Sequence, residues 1–143
     1  MTGSHDDPLP LKPLTERVIG VFYSVYRELG FGFSEAVYRR AMAVALRDEG
    51  LQAFESVWID VAFRRRIIGR FCADLVVDGV LILELKATED IDRYAECQIL
   101  NYLKAAGGGV GLVLNFGRTP RFKRMVMGDP HDSLPALRKH QPR

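Results

Sequence analysis

At 143 residues, 48% hydrophobic and 27% charged, the chain has the balance of one globular domain. That balance excludes a disordered, collagen-like or disulfide-scaffold protein. A domain of this size buries roughly 68% of the surface its unfolded chain exposes, so it needs no staples. The net charge of +2 is too small to point to nucleic acid by itself. The two cysteines, Cys72 and Cys97, match no zinc spacing. No secretory signal pattern is present, and no apolar stretch approaches the roughly 20 residues of a membrane span. A cytoplasmic protein with no membrane contact is therefore expected. The three histidines, His5, His131 and His140, lie near the ends. This excludes serine–histidine or cysteine–histidine catalysis in the core, and an imidazole-based zinc site. Chemistry here must run on carboxylates, Lys, Gln, Tyr or Arg.

In chain order, residues 1–13 carry three prolines and read as a flexible lead-in. The pattern predicts a helix over Thr15–Leu29, with Thr15 as N-cap and Val18, Val21, Phe22, Val25 and Leu29 as its core stripe. Gly30 ends it and Gly32 keeps the turn tight. A second helix is expected from Ser34 to Glu49. The period then changes. Phe54–Phe63 reads as a strand, Arg64–Arg65–Arg66 as a polar turn, Ile67–Val77 as a second strand and Val80–Ala87 as a third. Thr88 is the expected cap of a third helix, with Glu89, Asp90 and Asp92 in its first turn, where acids suit the helix dipole. Gly107–Gly108–Gly109 breaks that helix. Val110–Phe116 is nearly all apolar, as in a strand buried on both faces. Arg121–Met127 reads as an edge strand, and 128–143 as a flexible polar tail. The order α-α-β-β-β-α-β-(β) predicts an α/β sheet with helices packed on it.

The hairpin FCADLVVDGVLILELKA is apolar except for its turn and three residues, Asp74, Glu84 and Lys86. Charges in so hydrophobic a strand are costly unless paired or metal-bound. Glu84 and Lys86 are two apart and share a face. Whether Asp74 joins them depends on register. A two-residue Asp78–Gly79 loop puts Asp74 on the opposite face, among leucines. A three-residue loop, Val77–Asp78–Gly79, pairs Val76 with Val80 and Asp74 with Ile82, and makes Asp74 a diagonal neighbour of Glu84, about 7 Å away. The second register is the expected one. Two converging carboxylates make a hard-cation site that suits Mg²⁺ or Mn²⁺, and Lys86 beside it can orient a water. On spacing alone, a surface salt bridge between Glu84 and Lys86 or a nearby Arg serves equally well.

Several motifs carry a resemblance. Gly32-Phe-Ser-Glu35-Ala-Val-Tyr38 resembles the signature of the GxxExxY protein family. Asp74…Glu84-Leu85-Lys86 is similar to the metal-binding core of the PD-(D/E)XK nuclease superfamily, and Gln98-Ile-Leu-Asn-Tyr102 to a Gln-x₃-Tyr motif found in one of its branches. Tyr26-Arg-Glu-Leu-Gly30 and Leu112-Val-Leu-Asn-Phe-Gly117 also read like the GxxExxY family, which usually has a histidine where this chain has Tyr26. The similarity spans about Leu14 to Met127.

The resemblance implies a restriction-endonuclease-like αβββαβ core over residues 14–127, with a mixed sheet flanked by helices. It implies Asp74 and Glu84 as metal ligands, the Leu85 carbonyl as a third, and Lys86 as the residue that positions the attacking water. Glu35 would reach the metal directly or through water. Gln98 and Tyr102 would line the cleft, contacting substrate or holding Lys86. Each has a simpler structural reading: Glu35 as a dipole acid, Tyr38 and Tyr102 as core aromatics with a wet hydroxyl. The expectation is thus a Mg²⁺- or Mn²⁺-dependent nuclease acting on DNA. The alternative is a non-catalytic nucleic-acid-binding or assembly module of the same fold. Arg64, Arg65 and Arg66 are candidate phosphate contacts. One domain offers a short binding face, which a homodimer would lengthen.

Overall fold

The computed structural model describes residues 11–128; the expectations for 1–10 and 129–143 lie outside the described residues. The elements are α1 (Lys12–Leu29), α2 (Glu35–Asp48), β1 (Ala53–Phe63), β2 (Arg66–Val77), β3 (Leu81–Lys86), α3 (Arg93–Ala106), β4 (Gly109–Phe116) and β5 (Pro120–Met127). The strands form one mixed sheet in the order β1-β2-β3-β4-β5. All neighbours are antiparallel except β3 and β4. That parallel pair needs a long crossover, and α3 supplies it. β4 is buried along its whole length, as its unbroken apolar run requires.

The sheet separates two cores. On one face Val18, Phe22 and Val25 of α1 and Tyr38, Met42 and Leu46 of α2 pack on Leu75, Leu83, Leu85, Leu112 and Leu114. On the other, Ile99, Tyr102 and Leu103 of α3 pack on Val57, Ile59, Ala73, Ile82 and Val113. Leu29, expected in the core stripe, is 37% exposed because α1 ends there in solvent.

Two helix starts differ from the sequence reading. α1 begins at Lys12, with Pro13 in its first turn, so Thr15 is not a cap. Its hydroxyl instead donates back to the Lys12 carbonyl at 3.1 Å from a buried position inside the first turn. α3 begins after Asp92, whose carboxylate accepts from the Ala95 N–H at 2.8 Å. Thr88 was expected there, but it donates to the Asp90 carbonyl within the connecting loop, and Glu89 and Asp90 pair with Arg118 and Arg121. Both sites offered a capping side chain; the one that lets the apolar stripe meet the sheet prevails.

Besides the register shift between Val61 and Ala62, the strand alternation slips at facing positions in β1 and β2. Leu75 and Val77 belong to the α1/α2 core, yet Ala73 belongs to the α3 core. β1 does the same between Ala53 and Val57. The residues at the slip are Ser56 and Asp74, the one pair missing between Glu55↔Leu75 and Val57↔Ala73. Ser56 has φ of 54°, a left-handed backbone that costs a non-glycine residue on the order of 1–3 kcal/mol. Beyond the slip, Val57, Ile59, Phe71 and Ala73 of the β1–β2 arm turn onto α3.

Candidate active site

β2 and β3 pair as Leu75↔Leu83, Val76↔Ile82 and Val77↔Leu81. The loop therefore has three residues, as expected, but they are Asp78, Gly79 and Val80 rather than Val77–Asp78–Gly79. The shift follows from a contact with the residue just before β1. The Asp78 N–H donates to the Gln52 carbonyl at 2.8 Å, and its carboxylate accepts from the Gln52 N–H at 2.9 Å. These bonds hold Asp78 outside the hairpin ladder. Asp78 and Gly79 both take positive φ, 53° and 68°, which a tight primed turn requires. The parity is the expected one, and the register brings Asp74 opposite Glu84 rather than Ile82.

The ladder stops there. Asp74 has a ladder partner on neither β1 nor β3. Its Oδ2 accepts from the Leu85 N–H at 2.8 Å, replacing the missing backbone carbonyl. Glu84 is held firmly by the β3–β4 ladder, opposite Val113. It is 4% exposed, and its Oε2 has no hydrogen-bond partner among the described residues. Burial first, then the Asp74 charge and a shared hydrogen bond with Asp74, push the Glu84 carboxyl up from 4.5 to about 9; Lys86 pulls it down and Glu35 raises it. Lys86 lies two residues on, largely covered, with Nζ 4.0 Å from Glu35 Oε1.

This arrangement fits a divalent cation. Glu84 sits beside Asp74 with its carboxyl pushed up by burial, and its buried Oε2 lacks a partner among the described residues. Among the described residues, no group of three His, Cys, Asp or Glu side chains could hold an ion. The two side chains that could hold one are Asp74 and Glu84, a small set that would suit Mg²⁺, a cation that keeps several of its waters. Glu35 is drawn to Lys86 rather than into the carboxylate pair, although its charge is felt by Glu84.

α2 is aimed by its own start. Gly32 takes φ of 119°, and Ser34 caps the helix by accepting from the Val37 N–H at 3.4 Å. Glu35 is the first helical residue, where an acid suits the helix dipole, and its carboxylate pairs with Lys86. Tyr38 is fully buried and stacked on Phe116, with ring centroids 4.1 Å apart. Its hydroxyl donates to the Gly30 carbonyl at 2.6 Å and accepts from the Phe33 N–H at 3.2 Å. Tyr38 is thus structural, and it ties down the loop from which Glu35 emerges. We expect Tyr38→Phe to cost about 1–3 kcal/mol, the loss of two partners for buried backbone groups, read as a fall in the thermal midpoint. An unchanged midpoint would show that water takes over both bonds.

On α3, Gln98 Nε2 donates to Tyr102 Oη at 2.8 Å, as their four-residue spacing allows. The pair bonds itself, and no hydrogen bond joins either residue to Lys86 among the described residues. Gln98 Oε1 is buried without a partner. Burial and the Glu84 charge push the Tyr102 phenol up, so it stays protonated beside the carboxylates.

One positioning residue escaped the sequence reading. Asn115 is fully buried in β4, opposite Lys86. Its carboxamide accepts from the Thr88 N–H at 3.0 Å and donates to the Thr88 carbonyl at 2.9 Å. It pins the chain just after Lys86. A Cβ at Gly117 would overlap the Thr88 carbonyl, so this approach needs glycine. A polar residue inside an otherwise apolar strand was the available signal. Arg64 and Arg65 form the β1–β2 turn, and Arg66 opens β2. Arg66 is eight residues from Asp74, about 26 Å at the strand rise.

With the geometry in place, the chain can be set against known proteins. Residues 12–125 match the PD-(D/E)XK nuclease superfamily, and the chain belongs to it. Its restriction-endonuclease-like fold is the mixed five-stranded sheet with flanking helices described above. No curated protein matches, and no solved structure does. No helix among the described residues is long and apolar enough to cross a membrane.

Proposed function

We propose that this protein is a Mg²⁺- or Mn²⁺-dependent nuclease that hydrolyses phosphodiester bonds in DNA. One observation carries the reading: Glu84, buried beside Asp74, has an oxygen with no hydrogen-bond partner among the described residues, and Lys86 lies two residues along the same strand. Asp74, Glu84 and the Leu85 carbonyl would hold the cation. When bound, it polarises the scissile phosphate and acidifies a water. Lys86, held by Glu35 on one side and the Asn115–Thr88 clamp on the other, orients that water and offsets charge on the phosphate. Tyr102, kept protonated, is a donor for a phosphate oxygen, and the free Gln98 Oε1 accepts from substrate or an ordered water. Family membership supports nuclease chemistry in general; the residues support this division of roles.

The test is cleavage of single-stranded, duplex and branched DNA with Mg²⁺ or Mn²⁺, beside Asp74→Ala and Lys86→Ala. Both substitutions should remove metal-dependent cleavage. Activity surviving both would belong elsewhere, and metal binding with no turnover on any substrate would favour the binding-module alternative. At the arm tip, reversing the charges of Arg64, Arg65 and Arg66 should weaken DNA binding and lower its salt slope by up to about three, one per lost contact. Unchanged slope and affinity would remove the tip from the footprint.

A further inference from the structure

We infer that Arg39 and Trp58 form a nucleotide subsite beside the carboxylates, in which Arg39 holds a backbone phosphate and Trp58 stacks on an unpaired base. The inference rests on the nuclease reading and narrows its substrate to a strand with unpaired nucleotides near the cleavage point.

Arg39 lies four residues after Glu35, on the same side of α2. Its side chain is one-third exposed, and its Nε is buried with no hydrogen bond. Its one ion pair, to Glu55 Oε1, is long at 3.7 Å, and the other Glu55 oxygen is taken by Arg40 at 3.0 Å. One carboxylate thus faces two guanidinium groups, which leaves a positive excess and unused donors at this corner. A planar guanidinium with free donors matches phosphate oxygens two at a time.

Trp58 is 53% exposed. The alternation of the arm explains why: Val57 and Ile59 bury against α3, so Trp58 turns to the other face. Its ladder partner is Cys72, two residues from Asp74 along β2, and Glu55, which pairs with Arg39, lies three residues before it on β1. The Cys72 side chain is within electrostatic reach of Asp74, Arg39 and Glu84 and meets Ser56. The indole makes no ring or cation contact among the described residues. A free indole within a nucleotide or two of the cation site, beside surplus guanidinium charge, is the composition that grips one strand by base and backbone. In a duplex the base faces are already stacked, so the platform selects unpaired bases.

Trp58 is the only tryptophan in the chain, so indole fluorescence reads this one site. The full-length protein, with chelator to prevent cleavage, is titrated with a 12-nucleotide oligothymidylate and with a blunt hairpin duplex. Binding is followed in parallel by the anisotropy of the labelled nucleic acids. We expect the oligothymidylate to quench Trp58 in step with binding, and the duplex to bind without equal quenching. Arg39→Gln and Trp58→Leu should each weaken oligothymidylate binding about tenfold, the scale of one lost stack or charged contact. Binding by anisotropy with unaltered indole emission overturns the subsite and leaves the nuclease reading standing. Equal quenching by the duplex overturns the selectivity for unpaired bases. Failure to bind either nucleic acid overturns both readings. A fluorescence shift that follows protein concentration alone assigns Trp58 to a contact between copies and overturns the subsite.

Discussion

Replacing Glu84 by glutamine should abolish cleavage while leaving the metal-free fold as stable as before, or more stable. The side chains are nearly isosteric, so no cavity opens in a position that is 4% exposed. What changes is charge. With its carboxyl pushed to about 9, Glu84 keeps a proton near neutral pH that the unfolded chain has released, which costs about 3 kcal/mol at pH 7. Glutamine removes that cost, and its amide can donate to Asp74 without a titratable proton. It also removes the ligand charge a divalent cation needs. Activity should drop by about three orders of magnitude or more, some 4 kcal/mol of barrier. The thermal midpoint in chelator should rise, by about 2–4 °C per kcal/mol recovered. A variant that still cleaves would place the chemistry elsewhere; an inactive but clearly destabilised one would make Glu84 an ordinary structural residue.

The second large effect is on pH. Between pH 4.5 and about 9 the native protein holds the Glu84 proton and the unfolded chain does not. The native state therefore binds more protons, and stability contributed by this group falls as pH rises through that window, at up to about 1.4 kcal/mol per unit. A cation must expel that proton to reach both oxygens. Its apparent affinity should climb by up to about tenfold per pH unit until pH reaches about 9, then level off. Titration calorimetry with Mn²⁺ at pH 7, in two buffers of different ionisation enthalpy, should show close to one proton released per ion. The Glu84→Gln variant should release none. Affinity independent of pH from 6 to 8, with no proton release, would mean that the cation does not bind Glu84.

Much of this was legible in the sequence because local rules and the fold agree. The apolar period of α1, the unbroken run of β4 and three charges inside a leucine-rich hairpin each demand one kind of environment. Even the hairpin parity follows, since the alternative buries Asp74 among leucines. The misses share a cause. Thr88 and Asp92 are equally good caps by composition, and only docking of Ile99 and Leu103 onto the sheet chooses between them. The loop moved one residue because Asp78 bonds Gln52, a contact 26 positions away. The left-handed Ser56 has no local signature, for serine ordinarily avoids that backbone. Nothing in the sequence joins Arg39 to Trp58; only the packing of α2 against β1 sets them on one side of the sheet.

The isolation of Asp74 from both neighbouring ladders has a mechanical consequence. Glu84 rides on a rail, fixed through β3 to the parallel β4. Asp74 has no rung of its own and reaches that rail through its side chain, which bonds the Leu85 N–H and meets Glu84, and such bonds are cheap to trade for a better partner. The pair therefore works as a vice with one fixed jaw and one travelling jaw. Were the pair to hold a cation as proposed, ions of different radius would be gripped by moving Asp74 alone, without breaking a rung of the sheet.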